Sequence, residues 1–341
     1  MFGSQETKTI GISAIIALVL YFSGFLIILT PLPLMYAYMA RGQNAGWFAS
    51  GLASLAVVVV YSLFGNIAAS GYLAYLPIPG QGMAEFMPAI FLKVFGVGYF
   101  AFFAAIALTL AWGTQQRFSI MRWGTYALLA GSGILIATFA VAKLFGATGL
   151  AQGASSYMRY VLGEIAQANQ ATSSQNTQLA FIADHTEQIV TTMLRALPSL
   201  TFVYIVVTVA INAVAGLRIV RVRHTLMHSN DMARFKLPDW LIWGVITSGI
   251  TFFADNYVFR SNFFGALSLN LLIGLGALYF LQGMAVTVYF LRGIRFSLLR
   301  TLAYIVMIIF LQTVSIALVV LGIFDVWANF RLRRWRMLQQ Q

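Results

Sequence analysis

The sequence predicts an all-α fold, a polytopic transmembrane helical bundle of eight full spans plus a short half-helix. Three observations carry this expectation. Of 341 residues, 60% are hydrophobic and only 9% charged, whereas a soluble domain carries roughly 25% charged residues. Apolar runs near the ~20 residues that a helix needs to cross a bilayer recur along the chain. The 21 basic residues outnumber the 9 acidic ones and gather in short segments between those runs, which is a membrane-topology pattern, not a nucleic-acid-reading face. There is no cysteine, so disulfides, thiolate metal sites and cysteine nucleophiles are excluded.

The eight runs are Ile10 to Thr30, Ala45 to Leu63, Pro88 to Trp112, Tyr126 to Leu144, Leu200 to Leu217, Leu241 to Ala254, Phe263 to Leu291 and Leu302 to Phe324. Lys8 is the one basic residue near the first run and no small-x-small cleavage site follows it, so it is expected to stay as the first helix and not to be removed as a signal. PLPLMYAYMARG (residues 31–42) follows. Its prolines disfavour continuation of the preceding helix, which predicts the half-length helix, ending at Arg41. The chain is expected to form one transmembrane domain over residues 1–341. A polar extracytoplasmic insertion is expected at about residues 146–199, as an interfacial helix or a lid, and a basic cytoplasmic loop at about 218–239. The tail RLRRWRM (residues 331–337) does not fit: one span leading from the basic Arg292 to Arg300 turn puts its four arginines outside.

Ionisable and amide groups within apolar runs are costly and so are candidates for binding. Those selected are Glu85, Lys93, Asn66, Asn212, Asp255, Asn270 and Gln282. Each also has a structural reading. Lys93 can extend its stem to the interface, or pair with Glu85 if the helix begins before Pro88. Asp255 can pair with Arg260, and Asn270 and Gln282, twelve apart on one helix side, can bond neighbouring helices or line a cavity. Ala45, Ala49 and Ala53 with Gly46, Ser50 and Ser54 form two four-residue ladders of small side chains, a face for helix packing or for a partner. Asp325, with Trp327, Asn329 and Arg331, is expected to anchor the last span at the interface, where Asp325 can pair with an arginine of the tail. His224 and His228 have no third ligand nearby, so no metal is assigned. No phosphate loop, dinucleotide fingerprint or nucleophile elbow is present, so neither an enzyme nor a cofactor is expected.

Three segments carry a resemblance: FKLPDWLIWG (235–244), LNLLIGLGALYFLQGMAVTVYFLRG (269–293) and LGIFDVWANFRLR (321–333). In this order and spacing, with PLPLMYAYMARG near the start, they resemble the YybS-like bacterial membrane proteins, a family of unknown function. That family is distantly similar to the substrate-binding S subunits of energy-coupling-factor transporters. The resemblance implies a bundle whose first helix, short second helix and small-residue third helix surround an outward-facing small-molecule pocket, in a bacterial inner membrane. The extra C-terminal helices and the insertion after residue 146 depart from that pattern. The expected function is binding of a small molecule or lipid, with uptake requiring separate energising subunits. A reading from another class is a non-transporting scaffold or assembly partner, oligomeric with copies of itself.

Overall fold

The computed structural model describes residues 3–64, 85–171, 181–182, 184–223, 233, 235–259, 261–294 and 296–331. Asn66, His224, His228, Arg260 and the tail arginines after Arg331 lie outside the described residues. All the described regular structure is helical: α1 (Ser4–Phe22), a 3-10 turn (Ile27–Leu29), α2 (Pro31–Arg41), α3 (Gln43–Phe64), α4 (Ala89–Gln115), α5 (Ile120–Leu144), α6 (Leu150–Ala171), α7 (Thr186–Arg223), α8 (Leu241–Ala254), a π-helical turn (Asp255–Phe259), α9 (Asn262–Leu291), α10 (Ser297–Ile309) and α11 (Leu311–Ala328).

Among the described residues six helical stretches, not eight, are long and apolar enough to cross a membrane: Gln43–Leu63, Ala89–Gln115, Ile120–Leu144, Thr186–Gly216, Phe263–Leu291 and Leu311–Ala328. Three expected spans change, each for a local reason. The run Ile10 to Thr30 is not one helix, because α1 ends at Phe22 and Gly24 takes φ +67°, a left-handed conformation that glycine adopts without steric cost. Leu241 to Ala254 is a 14-residue helix, about 21 Å long against a ~30 Å hydrocarbon core. Leu302 to Phe324 is split at Phe310, whose φ of −95° and ψ of 21° separate α10 from α11. In the polar insertion, α6 is followed by α7, a 38-residue helix that carries Pro198 in its interior and continues into the run from Leu200.

The chain groups into two compact units. The first comprises residues 1–118, 122–197 and 207–228. Within it α2 packs against α1, α3 and α4, and α3 against α1 and α4. Phe100, Phe102, Phe103, Ile106 and Leu110 of α4 are fully buried. The second comprises residues 119–121, 198–206 and 229–341. There α9 packs against α8 and α11.

Candidate functional site: a helix break in the first unit

In the first unit the chain between α1 and α2 leaves regular structure over residues 23–30. Its polar groups are met locally: Ser23 Oγ donates to Leu20 O at 2.7 Å and accepts from Leu26 N at 3.0 Å, and Thr30 Oγ1 donates to Ile27 O at 2.6 Å. Pro31 occupies the first helical position of α2, where its fixed φ suits the helix and its missing N–H loses nothing. At the other end of the hairpin Arg41 Nε donates to Thr9 Oγ1 at 3.3 Å, so the end of α2 returns to the level of Thr9 in α1. From that level α3 runs 22 residues, about 33 Å and so enough for the hydrocarbon core. The 11-residue α2 covers about half of that distance. The break therefore lies roughly midway along the span of α3. At such depth irregular backbone is tolerated only where protein or an aqueous cavity surrounds it; α2 buries Pro31, Pro33, Leu34, Met35, Ala37 and Tyr38, whereas Phe25 and Leu26 in the break itself are exposed.

Asn212 of α7 closes on this break. It is fully buried; its Nδ2 donates to Ile28 O in the 3-10 turn and to Thr208 O, both at 2.8 Å. Those two acceptors fix the amide orientation, and they leave Asn212 Oδ1 buried with no hydrogen-bond donor among the described residues. An unsatisfied buried acceptor costs about 1–3 kcal/mol. One turn along α7, Gly216 stands against Met35 of α2, whose Sδ lies 2.5 Å from where a Cβ would be. Beside the break, Tyr21 at the end of α1 donates from its hydroxyl to Gly96 O at 2.5 Å and shares a side-chain hydrogen bond with Tyr61 of α3. A Cβ on Gly96 would enter the Tyr61 ring, so this tyrosine pair requires glycine there. Neither tyrosine stood out in the sequence, because nothing in composition separates them from thirteen others among the 15 tyrosines.

The other candidates are scattered. Ala45, Ala49 and Ala53 are completely buried, Ser50 is buried with no partner for its hydroxyl among the described residues, and Ser54 is half-buried. Gly46 lies against Tyr38 of α2, where a Cβ would meet the tyrosine at 2.6 Å. From Ala45 to Ala53 the ladder is thus covered by the chain's own helices, as a packing face requires. Glu85 and Lys93 form no ion pair: α4 begins at Ala89, after Pro88, so Glu85 lies in the preceding turn and not two helical turns below Lys93 on one face.

In the second unit Asp255 is buried and accepts from Ser261 N through Oδ1 at 2.8 Å, next to the first turn of α9, where a carboxylate is favoured by the helix dipole. Asn270 accepts from Ser199 N, the amide after Pro198, at 2.8 Å and donates to Ala266 O at 2.7 Å. Gln282 is fully buried; its Oε1 accepts from Leu237 N at 2.9 Å and its Nε2 donates to Gly322 O at 3.1 Å and Asp325 Oδ2 at 3.2 Å. Asp325, also buried, accepts from Arg331 Nη2 at 2.7 Å and from Phe330 N at 3.1 Å. Arg331 Nη1 in turn donates to Ala233 O and Phe235 O at 3.0 and 2.8 Å. Asp325 is therefore a buried clasp, paired as expected with an arginine of the tail. The clasp joins the three segments on which the family resemblance rests.

The clasp also holds Arg331, the first residue of the tail. Arg331 O accepts from the Tyr289 hydroxyl at 3.4 Å, and Tyr289 lies three residues before Arg292. The chain thus leaves the end of α9 and returns to it, and α10 and α11 form an out-and-back pair in place of a single span.

Residues 83–326 match the family model described as "Predicted membrane protein (DUF2232)". The chain belongs to this family. DUF2232 is a family of predicted membrane proteins without an assigned function, and the match runs from the turn before α4 to the last residues of α11. No curated protein and no solved structure matches the chain.

Proposed function

We propose that this DUF2232 member binds a small molecule or lipid within its first unit, at the break between α1 and α2, and acts as a substrate-capturing subunit in a bacterial inner membrane. In this reading it resembles the S subunits of energy-coupling-factor transporters, acts by binding and not by catalysis, and relies on separate subunits to energise uptake. The observation that carries the reading is the interrupted helical hairpin halfway across the span of α3, with buried Asn212 bonded to its backbone. Discontinuous helices at the membrane midplane supply the polar backbone and dipole ends from which transporters build substrate sites. The order of a first helix, a half-length second helix and a small-residue third helix packed together supports the S-subunit comparison.

Thermal unfolding of the purified protein against a panel of vitamins and metabolites tests the proposal. A ligand that binds only the folded state raises stability by mass action, about 2.7 kcal/mol at one hundred times its Kd. The expected result is a raised unfolding midpoint with one chemical group of compounds, and an unchanged midpoint with all of them contradicts the reading.

A further inference from the structure

We infer that Asn212 is the specificity-determining contact of this site, and that its ligand is a neutral molecule presenting an N–H or O–H donor. The inference rests on the proposed binding function and names the chemistry that the break can recognise.

Two polar features face residues 27–35, and they differ in what they offer. The N-terminus of a helix ordinarily presents four unbonded amides and partial positive charge, which suits an anion. Here the sequence Thr30-Pro31-Leu32-Pro33 removes that capacity. Thr30 N already donates to Ile27 O at 3.0 Å, Pro31 and Pro33 have no N–H, and only the Leu32 amide is left at the first turn. An anion would therefore find one donor in a buried apolar setting. The positive end of α2 also disfavours a cation. The group unmet among the described residues is an acceptor, Asn212 Oδ1, which is completely buried and held in orientation by two bonds from Nδ2.

The oxygen is buried, and Met35 is the flexible side chain packed one turn from it. Its side chain fills the gap left by the missing side chain of Gly216, one turn from Asn212 on the same helix. Methionine has three rotatable bonds and a polarisable thioether, so it repacks around a guest at low cost. A site that hydrogen-bonds a ligand donor rejects analogues without one, because the buried group is then left unpaired.

Native mass spectrometry of the full chain, released from detergent after equilibration with a defined mixture, reads this out. The mixture contains pyridoxine, nicotinamide, adenine and riboflavin as donor-bearing probes, with succinate and benzoate as anions and acetylcholine as a cation, none of which carries a donor at neutral pH. The wild type is expected to retain a donor-bearing probe, and Asn212→Leu to lose at least tenfold of that retention. Asn212→Ser, whose hydroxyl can still bond the Thr208 carbonyl but no longer reaches as far, provides a second variant and is expected to lose retention similarly. Equal retention by wild type and both variants overturns the role of Asn212 and leaves the binding function standing. Preference for an anion or the cation overturns the ligand class. Retention of no probe at all counts against the binding function itself, and the inference falls with it.

Discussion

Asp325 and Arg331 show what a single residue contributes in this membrane protein. The carboxylate is 1% exposed and the guanidinium side chain 15% exposed, so neither is solvated as a surface ion would be. Removing one member of a buried ion pair costs about 3–5 kcal/mol, because the other is left without its counter-charge. Arg331→Met is therefore expected to lower the thermal unfolding midpoint of the detergent-solubilised protein strongly. The double variant Asp325→Asn/Arg331→Met is expected to lose less than the sum of the single losses, since the two residues are in contact; additive losses would contradict the pairing. Gln282→Leu leaves the Leu237 amide without its acceptor, and a loss of about 1–3 kcal/mol in the same assay is expected. The sequence made Gln282 and Asn212 visible as amides in apolar runs. It could not show their distant backbone partners, the Leu237 amide and the Gly322 and Ile28 carbonyls, which lie 40 or more residues away and carry no side-chain signature.

At the scale of elements, glycine spacing decides which helices touch. Gly283 of α9 and Gly322 of α11 stand opposite each other: a Cβ on the first would lie 1.9 Å from Leu318 O, and one on the second 2.0 Å from Tyr279 O. Backbone atoms cannot swing aside, so Gly283→Ala and Gly322→Ala must separate the helices, at an expected cost of about 1–3 kcal/mol or more for overpacking. Gly51 of α3 provides the contrast, with nothing within 4 Å of its built Cβ. Gly51→Ala is expected to stabilise by about 0.5–1 kcal/mol through the entropy of the unfolded chain and helix propensity. Thermal unfolding of the three variants side by side checks both signs. Most helices were legible from apolar run length alone, and the half-length α2 from its prolines. The ends of α1 and the split at Phe310 were not, because Gly24 and Phe310 interrupt runs whose hydropathy continues unbroken across them.

For the molecule as a whole, counting apolar runs made the last run a single span, and the long-range contacts show the chain returning at Arg331 to the end of α9. Arg331 meets the backbone at Ala233 and Phe235 and the hydroxyl of Tyr289. Arg331, the end of α9 and, before α8, Ala233 and Phe235 therefore lie together. The absence of cysteine makes single-cysteine labelling clean. The same background tests the central claim, that the break between α1 and α2 is a binding site reached from water at the depth of the membrane core. Ile28→Cys in the break and Ile16→Cys on the exposed apolar face of α1 are compared in intact vesicles or cells, using a charged, membrane-impermeant thiol reagent and a lipid-soluble one. The account predicts that the charged reagent modifies position 28 and not position 16, whereas the lipid-soluble reagent modifies position 16. Modification of position 28 by the lipid-soluble reagent alone would make the break a lipid-facing or sealed feature and contradict the account.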